Sequence, residues 1–143
     1  MIALDTNLLV YAHRAATPEH RAARRALERA ASDAAGWGIA LPSLAEFWAV
    51  VTHPAARARP STPAEAAAFL AALAAAGAQV WLPGPGFADR LCRLAASTGV
   101  GGPRVFDLQI ALIAREAGAR EIWTHDRAFH GRPALPARDP LGD

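Results

Sequence analysis

Four acids stand in this sequence where chemistry would want them. Asp5 ends the apolar run Met1-Ile2-Ala3-Leu4, a costly place for a charge unless a cation or hydrogen-bond donors meet it. Glu46 follows Ser43 by three residues, Asp107 lies in the first turn of a helical pattern that begins at Val105, and Asp126 comes just after Ile122-Trp123-Thr124. Carboxylates gathered in one small site repel one another, so they either hold protons or are offset by a divalent cation. Mg²⁺ and Mn²⁺ prefer such hard oxygen ligands. One or two such ions can activate water and stabilise the charge that builds on a phosphate during in-line displacement. With the single cysteine Cys92 and no H-x-x-x-H pair among the five histidines, the donor set suits phosphate chemistry and not zinc chemistry.

Each acid also has a plainer reading. Ser43 and Glu46 have the spacing of a capping box. Asp107 suits the positive end of a helix dipole, and Asp126 suits a turn or an N-cap. Asp5 is hardest to explain this way, because three apolar residues precede it in a short strand.

Short apolar strands alternating with helices are predicted to position these acids. Strand one leads to Asp5 and a short helix over about 7–13. Thr17-Pro18-Glu19 reads as an N-cap, first helical residue and first-turn acid of a helix reaching about Ala35. Gly36-Trp37-Gly38 breaks it, and Ile39-Ala40-Leu41 is a strand stopped by Pro42. A helix spans Ser43 to about His53. Thr62-Pro63-Ala64-Glu65 caps the next helix, which ends at Gly77. Residues 79–82 form a strand. Residues 87–97 form a helix with Leu91 and Leu94 on its inner face and Cys92 among them. After a glycine-rich loop come a helix over 105–117, a strand over 121–124, a turn or short helix over 125–130 and a weak strand near 134–137. The alternation predicts a three-layer α/β/α fold with a mainly parallel sheet, as a single domain over 1–143. In such a sheet the strand carboxyl ends share one edge, where ligands bind. Trp48, Trp81 and Trp123 are expected in the core.

Composition bounds the remaining choices. The 143 residues are 52% hydrophobic and 20% charged, which is globular. The uncharged stretch 66–88 is mostly alanine and is interrupted by glycine and proline, so no membrane span is expected. No basic leader precedes Asp5, and a single cysteine suits the cytoplasm. All 15 basic residues are arginine, and the formal net charge is +2. If the four acids are set aside, 15 arginines face 9 acids, a balance of +6 that suits a polyanion. Arg57, Arg59, Arg104 and Arg127 lie in loops or turns and are candidate phosphate contacts; His125 is a candidate substrate contact. No nucleophile elbow surrounds Ser43, and no nucleotide-binding glycine motif is present.

The segments Leu4-Asp5-Thr6-Asn7-Leu8-Leu9-Val10-Tyr11-Ala12, Ser43-Leu44-Ala45-Glu46, Val105-Phe106-Asp107-Leu108-Gln109-Ile110-Ala111 and Thr124-His125-Asp126-Arg127-Ala128-Phe129 together resemble the PIN-domain ribonucleases, in particular VapC-type toxins. The resemblance covers nearly the whole chain. It implies the sheet order 3-2-1-4-5 and a Mg²⁺- or Mn²⁺-dependent endoribonuclease. Asp5, Glu46, Asp107 and Asp126 would be the acidic metal-site residues, with Asn7 and Thr124 supporting them. It further implies an RNA substrate, a small antitoxin partner and a homodimer. Many relatives carry a second acid two residues after the one matched by Asp126; here that position is Ala128. The alternatives are a PIN-domain nuclease of RNA processing and a non-catalytic α/β binding module whose acids only cap helices.

Overall fold

The computed structural model describes residues 1–142. Its elements are β1 (Ile2–Leu4), α1 (Thr6–His13), α2 (His20–Ala31), β2 (Trp37–Ala40), α3 (Leu41–Val51), α4 (Pro63–Ala75), β3 (Ala78–Trp81), α5 (Phe87–Thr98), α6 (Arg104–Glu116), β4 (Glu121–Trp123) and β5 (Ala137–Arg138). The sheet order is β3-β2-β1-β4-β5, and every pairing is parallel. The expected α/β fold and strand order are therefore found.

Alternation along the strands divides the core in two. Ile2, Leu4, Trp37, Ile39 and Trp123 face the layer that contains α1 and α2. Ala3, Ala40 and Ile122 face α5 and α6, where Leu108, Leu112 and Ile113 are buried. Leu8 and Leu9 are fully buried and anchor α1 just beyond Asp5. Each such leucine contributes roughly 1.5–3 kcal/mol through removal from water. This rigid first turn matters because Asp5 caps it.

Several local expectations are corrected. Thr17 does not cap α2: its hydroxyl donates back to the Arg14 carbonyl, and the helix begins at His20. At the other end α2 stops at Ala31, and Asp33 accepts from the Ala35 amide in the turn that follows. Gly38 does not break the chain but lies within β2. A Cβ there would stand 2.6 Å from the Trp81 ring, so glycine is what lets Trp81 lie across the strand. Gly36, at φ +88°, makes the actual turn. Ser43 caps nothing: α3 begins at Leu41, and the Ser43 hydroxyl is buried with no hydrogen-bond partner among the described residues. Cys92 is exposed and not on the inner face of α5. β5 comes later than expected, because Ala134 and Leu135 are held in a turn by the Gly131 carbonyl. The capping box of Thr62 and Glu65 is present as read. Trp81 and Trp123 are core residues, and Trp48 packs partly buried against the core.

Candidate active site

Asp5 leaves β1 and becomes the N-cap of α1, accepting from the Thr6 amide through Oδ1 at 2.8 Å. Its own amide donates to the Trp123 carbonyl, which ties the corner to β4. Oδ2 accepts from Thr124 Oγ1 at 2.7 Å and from Asn7 Nδ2 at 2.9 Å. Thr124 is the hub of the corner. The same hydroxyl oxygen accepts from Asn7 Nδ2 and from the Asp126 amide. Asn7 Oδ1 accepts from the His125 amide in turn. Asn7 and Thr124 thus fix the orientation of Asp5 and the start of the 125–130 turn.

The other three acids reach the same place from different elements. Glu46 lies inside α3, and its Oε2 accepts from Thr6 Oγ1 at 2.8 Å. It therefore braces the β1–α1 corner and makes no capping box. Asp107 is in the first turn of α6, and its Oδ2 accepts from the His130 amide at 2.9 Å. Asp126 accepts from the Ala128 amide in the turn after β4. One oxygen of each of these three acids is held this way. Among the described residues the other accepts no hydrogen bond. Ala128 is exposed, and its amide is the donor that holds Asp126.

All four carboxylates line one cleft of about 470 Å³, together with Thr6, Asn7, Tyr11 and His125. No arginine lines it, and neither Arg57, Arg59, Arg104 nor Arg127 is on its wall. Arg59 instead pairs with Glu65 at 2.9 Å, while Arg57, Arg104 and Arg127 are exposed. Asp5 is 6% exposed. Burial pushes its carboxyl up to about 6, and the charges of Asp107 and Glu46 add to the rise. The hydrogen bonds from Thr124 and Thr6 pull in the opposite direction without cancelling it.

The donor set fits a hard divalent cation: carboxylate oxygens, excess negative charge and no arginine side chain. Among the described residues, no three His, Cys, Asp or Glu side chains are close enough together, as placed, to enclose one ion. The cleft thus supplies the ligand chemistry in an open arrangement.

Three contributors escaped the sequence reading. Thr6 links Asp5 to Glu46, and its position within Asp5-Thr6-Asn7 was the available signal. Asp139 holds the His125 ring at 2.9 Å, a contact across 14 positions that no local pattern announces. The third is the His130 amide, which no side-chain motif can encode.

The PIN domain family model matches residues 2–134. The chain belongs to the PIN-domain family. Over 142 residues this PIN domain is 36% identical to a VapC ribonuclease of Mycobacterium bovis and to ribonuclease VapC43 of Mycobacterium tuberculosis, covering 99% of this chain and 96% of each relative. Its fold is similar to that of VapC20 of Mycobacterium tuberculosis, described as a sarcin-ricin loop cleaving toxin. That likeness has a TM-score of 0.70 at 16% identity and covers 96% of this chain and 99% of the other. FitAB bound to an IR36 DNA fragment gives a TM-score of 0.65 at 15% identity, covering 99% of this chain and 96% of that one. At such identities the structural likeness is one of fold. Among the described residues no helix is long and apolar enough to cross a membrane.

Proposed function

We propose that this PIN domain is a Mg²⁺- or Mn²⁺-dependent endoribonuclease and acts as the toxin of a type II toxin–antitoxin pair in the cytoplasm. The observation that carries the reading is a single cleft lined by Asp5, Glu46, Asp107 and Asp126 with no arginine beside them. The full-length similarity to proteins named VapC ribonucleases supports the substrate class. A bound divalent ion would supply an activated water and offset the charge that builds on the phosphate.

The protein's own groups do the positioning. Asp5 and Asp107 are the principal carboxylates that would hold an ion. Asp5 is kept in place by Thr6, Asn7 and Thr124, and Asp107 by the His130 amide. Glu46, braced by Thr6, would hold an ion or orient the attacking water. Asp126 completes the acidic wall. Arg57, Arg59, Arg104 and Arg127 are proposed contacts to phosphates farther along the strand; Arg59 must first leave Glu65. The partners proposed are an RNA substrate, a cognate small antitoxin and a second copy in a homodimer.

The test is to incubate pure protein with RNA in Mg²⁺, in Mn²⁺ and in EDTA. Cleavage is expected with either ion and not in EDTA; cleavage that persists in EDTA overturns the mechanism. Induction of the protein alone is expected to arrest growth, and normal growth after induction removes the toxin role.

A further inference from the structure

Beside the carboxylate cleft lies a second pocket of similar volume, about 450 Å³. Glu46 and Asp107 line both, so the two spaces adjoin through these acids. Phe106, Gln109, Ile110 and two prolines, Pro42 and Pro103, form the rest of its wall. Phe106 is 63% exposed, while Leu108, Leu112 and Ile113 of the same helix are buried. Single exposed apolar side chains are ordinary on a protein surface. This one differs in type and place. Among the described residues it is the one exposed side chain of the Phe, Trp and Tyr class, and it precedes a cleft carboxylate. Gln109 follows Phe106 by three positions, which puts both on one side of α6.

We propose that this pocket is a nucleobase subsite: Phe106 stacks on the base of a nucleotide adjoining the scissile phosphate, and Gln109 contacts that base's edge. The proposal rests on the reading of the carboxylate cleft as the site of RNA cleavage. An RNA strand whose phosphate meets Asp5 and Asp107 must send a neighbouring nucleotide along the cleft wall, and this pocket opens there. Every base has a π-face, so an aromatic ring serves as a sequence-tolerant platform, while a side-chain amide offers both a donor and an acceptor. Two carboxylates on the rim suit an occupant that arrives with a metal-bound phosphate. They do not suit an apolar protein segment, which would bury those charges unpaired.

The test uses short single-stranded RNAs that the wild-type protein cleaves, and the same RNAs made abasic at one nucleotide at a time around the cut. Phe106→Leu keeps apolar bulk but removes the π-face. It is expected to lower kcat/KM on intact RNA by about 5- to 150-fold. It should have little further effect on the RNA that is abasic at the stacked position. Leu82→Ala, 66% exposed and beyond β3, should leave cleavage unchanged. Binding is read separately, with a fluorescent purine analogue at the same nucleotide and the Asp5→Asn protein in place of the cleaving enzyme. Quenching is expected with Phe106 present and should be lost in the Asp5→Asn, Phe106→Leu double variant. The proposal is overturned by wild-type activity in Phe106→Leu, or by an equal loss on every abasic RNA. It is also overturned if sedimentation shows that the substitution only separates two copies or abolishes capture of a protein partner. Failure of the wild-type protein to cleave any RNA defeats the underlying function, which distinguishes that outcome from failure of the subsite.

Discussion

The same carboxylate chemistry is treated in opposite ways in two regions of this molecule. On the outer surface four acids have arginine partners: Glu65 with Arg59, Glu116 with Arg90, Asp89 with Arg93, and Asp33 with Arg120. Hydrogen bonds from those guanidiniums bring the Glu65 and Asp33 carboxyls down to about 2. In the cleft, four acids share one space without an arginine, and burial brings Asp5 up to about 6. The chain has 15 arginines available and puts none of them on the cleft wall. The contrast teaches that the fold leaves the cleft acids without an arginine partner, which supports the proposed binding of a cation.

The largest expected break in this contrast is Asp5→Asn. It removes the charge of a proposed metal ligand and should lower metal-dependent RNA cleavage by about a thousand-fold. Mn²⁺ is expected to raise the Tm of the wild type, and the same change should abolish that rise. Persistent cleavage by Asp5→Asn would remove Asp5 from the site.

Next comes the pH dependence of stability in EDTA. The folded pKa of Asp5 lies above its unfolded value of 3.8, so its favourable contribution is present below about pH 4 and is lost as pH rises through about 6. The loss is on the order of 3 kcal/mol by pH 8. Urea unfolding at pH 5 and pH 8 should show this trend in the wild type and not in Asp5→Asn, and saturating Mn²⁺ should flatten it. Glu65 and Asp33 have the opposite sign. Their depressed values confer stability above the ordinary carboxylate range, which is lost as pH falls toward about 2.

Thr124→Val sharpens the comparison without touching an acid. It keeps the shape but removes the hydroxyl shared by Asp5, Asn7 and the Asp126 amide. Cleavage should fall about 10- to 100-fold, the usual cost of losing a group that orients a ligand. Equal activity in Thr124→Val would show that Asp5 needs no such hub. The smallest effect is expected at the surface. Glu65→Gln frees Arg59 from an exposed pair and should change Tm only slightly, because solvent screens such pairs. A large loss of stability would contradict the division drawn between the two regions.

Much of this arrangement was legible one segment at a time. Asp5 could be singled out because an acid after Ile2-Ala3-Leu4 violates the burial pattern, and that corner is where the hydrogen bonds converge. The cap at Thr62 was legible because both halves of a capping box lie within four residues. The same rule failed at Ser43: Thr6, 40 positions away from Glu46, took the carboxylate that a cap would have used. Gly36-Trp37-Gly38 looked like a break because a glycine's turn role can be read locally. The ring of Trp81 that makes Gly38 a strand residue lies on a neighbouring strand. Cys92 is exposed because Phe87, Leu91 and Leu94 recur at helical spacing and form the inner stripe of α5, and position 92 lies off it.

The sequence by itself determined the alternation of strands and helices, the four acids and their order, and the absence of cysteine-based metal chemistry. These depend on residue type and short spacing, which act before the chain folds. Only the tertiary structure decided that the four acids line one cleft, that Thr6 and Thr124 join them, and that no arginine of 15 enters to neutralise them. The reason is physical: a carboxylate's partner and its protonation are set by what the folded chain brings within hydrogen-bonding distance and by how much water it excludes. Both are properties of packing across the sheet edge and not of any one segment.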